Sequence, residues 1–387
     1  MLILNGIIHT MDGETIDSGF VQVKGTQIQA VGHMSQLPPG AELDQVIDAR
    51  GGHVLPGLLD IHCHLGLYGT GTGWEGDDLN EATNPCTPQL RALDGVNPLD
   101  PDFREARRTG VTCVLTGPGS TNPISGQSVL LKTSGRIADQ MVVRSPAAMK
   151  FALGENPKGA YRKGPGPMTR MATAALIREN LTKAMDYQLK WERAQASQEE
   201  DEPDFDPRLD ALRPVMAGKL PAHFHAHRAD DMVTAVRLAR EFGLECVLVH
   251  GTEGHRIADW LAREGIPVIT GPSLTHRSKP ELANLTMENT AILARAGVQV
   301  AICTDHPEIP IQHLPLCAAL AARAGMDEEE ALAAVTINAA CIAGVGDRLG
   351  SLTQGKDADI VVMDGHPFDW RSRVTHVLID GQEVSEA

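Results

Sequence analysis

Two histidines separated by one residue, His62 and His64, end a run of apolar residues that begins at Val54. Because side chains alternate between the two faces of a β-strand, both imidazoles of such a pair point to the same side. Two imidazoles on one side can chelate a metal ion, while many pairs of this kind form only polar contacts. The position of this pair at the end of an apolar strand favours a metal site.

Ligand-type side chains also end three other apolar runs. His250 is the last residue of one run, Asp305 follows another, and His223, His225 and His227 alternate along a third. Imidazole and carboxylate ligands suit zinc or a similar divalent metal. Water in an open coordination position of such a metal has its pKa lowered toward about 7, and a carboxylate such as Asp305 can accept its proton. The pattern therefore predicts a metal centre that activates water.

The elements that must bring these residues together are predicted from short apolar runs that alternate with helical patterns, which is typical of parallel β/α units. In a (β/α)8 barrel the carboxyl ends of the strands surround one cavity, so distant segments form a single site. We therefore predict an α/β fold, a (β/α)8 TIM-type barrel over residues 55–348. The predicted strands are residues 54–61, 111–115, 147–153, 222–226, 246–250, 267–270 and 298–303, and the predicted helices include residues 231–242 and 256–264.

The two ends of the chain have a different pattern, with short strands bounded by glycine turns. Strand candidates there are residues 20–23, 28–32, 357–364 and 374–380. We expect residues 1–54 and 349–387 to pair as one small composite β domain into which the barrel is inserted.

Size, charge and cysteine usage limit the remaining function classes. A chain of 387 residues with a net charge of −16 suits a large barrel with a small appendage, and its acidity argues against nucleic acid as a partner. Seven scattered cysteines without a C-x-x-C pair favour a reducing cytoplasm. No stretch approaches the ~20 apolar residues that span a bilayer. We expect a cytoplasmic homo-oligomer that acts on a small-molecule substrate and has no membrane partner.

The motifs also resemble a known family. The run from Pro56 to His64 resembles the first-strand signature of the amidohydrolase superfamily, and the run from Gly350 to Val361 is similar to the segment that returns to its small β domain. Within the superfamily, the chain looks like the imidazolonepropionase-related and dipeptidase-like branch. The resemblance covers nearly the whole chain and implies a metal-dependent hydrolase of carbon–nitrogen bonds.

The resemblance implies specific metal ligands. Superfamily members use the first-strand H-x-H pair, one histidine each on strands five and six, and an aspartate on strand eight. For strand five, His225 is preferred over His223 and His227, because it lies between apolar neighbours and the ligand in relatives precedes Ala-His or Ala-Tyr. The implied ligands are His62, His64, His225, His250 and Asp305.

Members with two metals add a carboxylated lysine on strand four that bridges both ions, and Lys150 is similar to that residue. A buried lysine has a depressed pKa, so its neutral amine can react with carbon dioxide. Two alternatives stay open: Lys150 is an ordinary snorkelling lysine, or Glu155 supplies a carboxylate ligand in its place. Imidazolonepropionase works with one metal and no bridging lysine, so either one or two divalent ions, with zinc expected, fit the sequence.

Four further residues are candidates for substrate contacts. Arg228 could hold a carboxylate through two hydrogen bonds, although a surface salt bridge is an equal alternative. His276 follows the seventh strand candidate and is expected at the barrel mouth. His255 and His306 are expected to orient the substrate or the metal ligands.

These observations predict hydrolysis of a cyclic or linear amide, including dipeptides. A metal-activated water would attack the carbonyl carbon, and Asp305 would transfer the water proton to the leaving nitrogen. One alternative is a mononuclear deaminase of a heterocyclic amine, which would release ammonia. Another is a non-catalytic metal-binding scaffold of the same superfamily, which the retained histidines disfavour.

Overall fold

The computed structural model describes residues 1–37, 45–196 and 201–384. Residues 38–44 and 385–387, which belong to the predicted small domain, lie outside the described residues. Two eight-stranded sheets organise the described part of the chain. One sheet is built from the two ends of the chain, and the other forms a barrel between them.

The strands follow one another along the whole chain. They are β1 (Leu2–Ile8), β2 (Ile16–Lys24), β3 (Gln27–His33), β4 (Val46–Asp48), β5 (His53–Pro56), β6 (Leu58–Cys63), β7 (Val111–Thr116), β8 (Ile124–Lys132), β9 (Val142–Ala152), β10 (Ala222–Ala226), β11 (Cys246–His250), β12 (Val268–Thr270), β13 (Val300–Ile302), β14 (Ile360–Met363), β15 (Val374–Ile379) and β16 (Gln382–Glu383).

The helices lie within the barrel segment. They are α1 (Asp102–Arg108), α2 (Ala138–Met141), α3 (Glu155–Ala160), α4 (Arg170–Ala196), α5 (Pro207–Met216), α6 (Ala229–Phe242), α7 (Ala258–Glu264), α8 (Asn289–Arg295), α9 (Leu314–Arg323), α10 (Glu328–Ala333) and α11 (Ile337–Ile342). In the ranges that the structure describes, no helix is long and apolar enough to span a bilayer.

The small sheet joins both ends of the chain, which confirms the predicted β domain. Its strand order is β16-β15-β14-β5-β1-β2-β3, with β4 paired to β1. Strands β2 and β3 form the predicted antiparallel hairpin, and β5 pairs with β14 so that Pro56 faces Ile360. Apolar side chains from both ends of the chain, among them Ile3, Val21 and Leu378, form one buried cluster.

The second sheet confirms the predicted barrel, with strands β6 to β13 in sequential order. The chain closes between its first and last strands, because the His64 amide donates to the His306 carbonyl at 2.9 Å and the Asp305 amide to the His62 carbonyl at 3.2 Å. One strand departs from the expected parallel pattern. Strand β8 runs antiparallel to both β7 and β9, because residues 117–123 are too few for the crossover of about a dozen residues that a parallel connection needs.

Gly57 separates two strands where the sequence predicted a single strand over residues 54–61. Strand β5 belongs to the small sheet and β6 to the barrel. A Cβ atom on Gly57 would lie 2.1 Å from Oγ1 of Thr112, so only glycine allows the chain to pass from one sheet to the other at this point. The apolar run that encodes both strands is continuous, and for this reason its pattern did not reveal the break.

Apolar side chains fill the barrel below the strand ends. Leu59, Ile61, Val247 and Val249 belong to this interior cluster, and Ala339 of α11 packs against them. This apolar layer closes the interior of the barrel from below. The polar side chains of the strand ends therefore lie at the open, carboxyl-terminal rim.

Candidate functional site

A first group of ligand-type side chains joins the first and last strands of the barrel. The Nε2 atoms of His62 and His64 lie 3.1 and 3.4 Å from Oδ1 of Asp305. One ligand atom from each of the three residues lies within 4.8 Å of the others. Asp305 adopts a left-handed backbone conformation, with φ of 55°, and this turn after β13 directs its carboxylate toward the two histidines.

A register shift explains how both histidines reach the interior. Leu59 and Ile61 pack inside the barrel, whereas Cys63 packs in the outer core, so the alternation of β6 changes phase between Ile61 and Cys63. The pairing of β6 with β7 is irregular over the same residues. A bulge of this kind redirects side chains and places His62 and His64 on the cavity side.

A second group contains His225, His227 and His250, whose ligand atoms also lie within 4.8 Å of one another. His225 and His227 alternate at the end of β10, and their ring centroids are 4.4 and 4.5 Å from that of His250. His250 ends β11 with φ of 75°. The structure thus brings both His225 and His227 into the group, although the sequence favoured His225 alone.

Hydrogen bonds fix the orientation of three of these imidazoles. The Nδ1 atoms of His64 and His250 lie 2.7 Å from the carbonyl oxygens of Gly117 and Gly271. Because a carbonyl only accepts, Nδ1 carries the proton and Nε2 presents a lone pair. The Nδ1 atom of His227 lies 2.7 Å from the Thr252 hydroxyl. Such partners are typical of histidines that bind metals through Nε2.

Burial keeps the histidines neutral, which is the form that binds metals. Loss of solvation lowers the pKa of His62, His225 and His227 well below the usual value and that of His250 to about 4. Burial acts to raise the pKa of Asp305, but the neighbouring histidines hold it well below its usual range. The buried imidazoles are therefore held in the form that can coordinate a cation.

Two buried polar atoms that have no hydrogen-bond partner bear on whether these residues fit a metal ion. The Nδ1 atom of His225 and the Nε2 atom of His227 are buried and have no hydrogen-bond partner among the described residues. Unpaired buried polar atoms are rare and unfavourable, so they commonly indicate an absent ligand. A divalent cation beside these imidazoles would coordinate their lone pairs. The donor set, imidazole with carboxylate, fits such an ion.

Lys150 is buried beside the first group. It lies on β9 next to His223 of β10, and its Nζ atom is 3.2 Å from Nε2 of His62. Burial lowers the pKa of Lys150 to about 8. His223 has an unpaired Nε2 among the described residues, and burial lowers its pKa to about 3. Lys150 therefore lies against His62 and does not extend to solvent.

Glu155 occupies a different position from the one considered from the sequence. It begins α3, and its carboxylate accepts the backbone N–H of Glu281 at 3.2 Å. In the described ranges, neither group of ligand atoms includes it. Its side chain instead supports the loop that follows β12.

A buried aspartate that the sequence analysis did not single out links the two ends of the barrel. The carboxylate of Asp60 accepts the backbone N–H and the hydroxyl of Thr304 and the backbone N–H of His62. Asp60 thus holds the ends of β6 and β13 together directly behind the first group. Its position two residues before His62, within an apolar run, was the signal that could have revealed it.

The two groups line one cavity of about 430 Å³. Besides the side chains of the two groups and Lys150, loops that follow several strands contribute polar residues to the walls. These residues were not predicted, because loop positions have no periodic spacing. They include Tyr68, Asn80, Ser120, Asn156, Lys279 and Glu308.

Two of the four expected substrate contacts are held on the outer surface. The guanidinium of Arg228 makes two hydrogen bonds of 2.9 Å to the Asp230 carboxylate, so the salt-bridge alternative describes its environment. His276 is exposed after β12 and does not line the cavity. Both expectations assumed that a residue near a strand end lines the cavity, but these two side chains are exposed and neither lines it.

The other two expected contacts lie behind the cavity wall. His255 binds Asn289 through its backbone N–H at 2.8 Å. His306 is buried, its Nδ1 accepts the Ile311 N–H, and its Nε2 lies 3.4 Å from the Asp102 carboxylate. Neither lines the cavity within the described part of the chain. His306 supports the site through its carbonyl, which accepts the His64 N–H.

Comparison with known proteins agrees with this geometry. A profile of the amidohydrolase family matches residues 212–384. The crystal structure of an amidohydrolase from Thermotoga maritima MSB8 superposes with a TM-score of 0.95 and 43% identity, covering 100% of both chains. An imidazolonepropionase of Pseudomonas putida is 26% identical over 369 residues, which are 89% of this chain and 87% of that protein.

A further relative is much longer than this chain. Amidohydrolase tasK of Hapsidospora irregularis is 29% identical over 373 residues, which are 89% of this chain but 38% of that protein. Family identity thus rests on a whole-chain match at 43% identity, on the profile and on the shared barrel. The chain therefore belongs to the amidohydrolase family and is a metal-dependent hydrolase of carbon–nitrogen bonds.

Proposed function

We propose that the chain hydrolyses a small cyclic or linear amide with the help of two divalent cations, for which zinc is the expected metal. The observation that carries this proposal is the presence of two separate groups of ligand atoms on one cavity. His62, His64 and Asp305 would hold one cation, and His225, His227 and His250 would hold the other. When bound, such a pair supplies Lewis acidity toward a carbonyl oxygen and lowers the pKa of water.

Lys150 is the proposed bridge between the two groups. Its amine nitrogen would attack the carbon of carbon dioxide and lose one proton, which leaves a carbamate with one negative charge. The contact with His62 at 3.2 Å and the nearly complete burial of Lys150 support this role. An anionic group at this position would balance part of the charge of two cations.

Asp305 is the proposed general base. Its Oδ1 atom faces His62 and His64, while its side chain remains partly open to the cavity, with 13% of its surface exposed. It can therefore accept a proton from the attacking water and deliver it to the leaving nitrogen. To act as a proton acceptor, Asp305 would have to be in its ionised form.

The proposed substrate is small, because the cavity of about 430 Å³ also has to contain the reacting water. One relative is named imidazolonepropionase, so cyclic amides are the first compounds to test, followed by dipeptides. We further propose that the chain is a cytoplasmic homo-oligomer. Six of its seven cysteines are buried free thiols, which suits a reducing compartment. Sedimentation of the purified chain tests the assembly.

The test of function is a panel of imidazolones, other cyclic amides, N-acyl amino acids, dipeptides and aminated heterocycles. The expected result is one new carboxylate and one new amine per turnover with an amide, and loss of turnover after chelation. Ammonia release from aminated heterocycles alone would contradict the proposal and favour a deaminase. Turnover that persists in the chelated protein would exclude the cations from the reaction.

A further inference from the structure

Lys279 supplies an accessible cation to the wall of the cavity. It lies in the loop between β12 and the short turn of residues 280–282, and 27% of its side chain is exposed. Among the described residues that line the cavity there is no arginine, and the other lysine, Lys150, is buried against His62. A molecule that enters the cavity can therefore reach the ammonium group of Lys279.

Two acceptors hold this ammonium group in place. Its Nζ atom lies 3.1 Å from Oε1 of Glu281 and donates to Oδ1 of Asn156 at 3.2 Å. Glu281 is itself fixed, because its Oε2 atom accepts the Glu155 N–H at 3.0 Å and its own N–H donates to the Glu155 carboxylate. An ammonium group has three N–H donors, so these two contacts leave one donor for a ligand.

The ion pair presents its positive member to the cavity. Only 1% of the Glu281 side chain is exposed, and Lys279 lines the cavity whereas Glu281 does not. The carboxylate thus lies behind the ammonium group as seen from the cavity. Ser278, which precedes Lys279 in the chain, adds a hydroxyl group to the wall. This part of the wall is therefore suited to an anionic group of a ligand.

A neutral substrate would leave the Lys279 ammonium group without a full set of partners. A compound that fills a cavity of about 430 Å³ displaces the water around this group. Loss of that water without a new acceptor is unfavourable, so a site of this kind discriminates against compounds that lack the acceptor. A carboxylate on the substrate accepts the third N–H in a charge-assisted hydrogen bond.

We propose that Lys279 determines specificity and that the substrate is an amide which carries a free carboxylate. The ammonium group would bind this carboxylate while the scissile amide lies beside the two groups of ligand atoms, which line the same cavity. Because the carboxylate does not react, the contact is equally strong in the bound substrate and in the transition state, so it acts on KM more than on kcat. The inference rests on the proposed function, since it names the class of substrate for that site.

Steady-state kinetics of the metal-loaded, full-length chain tests this inference with matched amides. Each pair is the best amide of the panel in its carboxylate form and in its neutral carboxamide form. The first pairs are N-acetylalanine with N-acetylalaninamide, followed by acetate release, and hydantoin-5-acetate with hydantoin-5-acetamide, followed by ring opening. Wild type should have a kcat/KM at least about 10-fold higher for the carboxylate.

Lys279→Met should lower kcat/KM for the carboxylate by about 10–100-fold, chiefly through KM. For the carboxamide, kcat/KM should change by less than about 3-fold. Lys279→Arg keeps a cation and should restore most of the preference for the carboxylate. Lys183→Met makes the same change as Lys279→Met at an exposed helical position and should match wild type with both compounds.

A second variant covers damage to the fold. Lys279→Met leaves the Glu281 carboxylate buried without its cation, whereas the double variant Lys279→Met, Glu281→Gln removes both charges of the pair. The double variant should show the same loss of preference at a metal content equal to that of wild type.

The outcomes separate this inference from the proposed function. A wild type that hydrolyses both compounds of a pair equally well, or only the neutral one, would overturn the role of Lys279 and leave amide hydrolysis standing. A preference for the carboxylate that persists in Lys279→Met and in the double variant would overturn it as well. A wild type that hydrolyses no amide of the panel, with or without a carboxylate, would overturn the proposed function itself.

Discussion

Oδ1 of Asp305, which follows the last strand of the barrel, lies 3.1 Å from Nε2 of His62, which belongs to the first strand. Asp305→Asn keeps the shape of the side chain but removes its basicity. At matched metal content we predict a loss of turnover of about 10²–10⁴-fold. Kinetics and metal analysis of the same preparation measure both quantities.

Asp230→Asn is the control for this change, because Asp230 lies on the outer surface in a salt bridge with Arg228. Its turnover should equal that of wild type. If Asp305→Asn were as active as this control, Asp305 would not be the general base.

Replacement of Lys150 tests the proposed bridge. Lys150→Gln cannot form a carbamate, so the bound cations should fall from two per chain to one, as measured by elemental analysis of the folded protein. Native mass spectrometry of the wild type should show the added mass of carbon dioxide. Lys183→Gln, at an exposed helical position, should match wild type. Two tightly bound cations in Lys150→Gln would refute the bridge.

The contact between barrel and small sheet depends on a buried lysine. Nζ of Lys132 on β8 lies 2.7 Å from Oδ1 of Asp359 and 3.1 Å from Oδ1 of Asp380. Lys132→Met would leave the Asp359 carboxylate buried without its cation. We predict a loss of about 3–5 kcal/mol in the free energy of unfolding, measured with urea.

The control for Lys132→Met is an exposed ion pair with a similar distance between nitrogen and oxygen. Arg178 and Glu241 lie 2.7 Å apart, with 41% and 39% of their side chains exposed. Arg178→Met should change the free energy of unfolding by less than about 1 kcal/mol. If the two replacements lowered the free energy of unfolding equally, burial would not increase the contribution of Lys132 to stability.

Acid should destabilise the small sheet through His53. Burial, with the nearby His9 and His366, lowers its pKa to about 4 in the folded chain, below the ordinary value of about 6.5. Between these values the unfolded chain binds more protons, so the free energy of unfolding falls as pH decreases from 6.5 to 4.

The variant His53→Gln isolates this contribution. It lacks the titrating group, so its free energy of unfolding should fall less than that of wild type between pH 7 and pH 5. Glu328 and Glu329 also face this cluster, and their replacement by glutamine should increase the acid sensitivity. A wild type and a His53→Gln variant with parallel pH profiles would exclude His53 from the effect.

The sequence pattern predicted that His62, His64, His250 and Asp305 lie close together. The prediction was possible because the carboxyl ends of barrel strands converge whatever their separation along the chain. It could not exclude His227, because the alternation of β10 places His223, His225 and His227 on the same face. His223 differs from His225 and His227 only in its position along the strand, which places it deeper in the barrel than the other two.

Other features depended on geometry that periodicity does not encode. The reversed direction of β8 follows from a short connection, and an apolar run has the same pattern in either direction. Arg228, His255 and His276 were expected near the substrate, but the directions of loop side chains are set by local partners, as Asp230 is for Arg228 and Asn289 for His255. Lys279 and Glu281 reach the site from the loop after β12 and belong to no recognisable spacing.

Anomalous diffraction from crystals of the zinc-loaded chain locates the bound cations. We predict two zinc peaks in the barrel cavity, one beside His62, His64 and Asp305 and the other beside His225, His227 and His250. A folded, zinc-loaded chain with a peak at only one group, or at neither, would show that the chain does not hold two cations there.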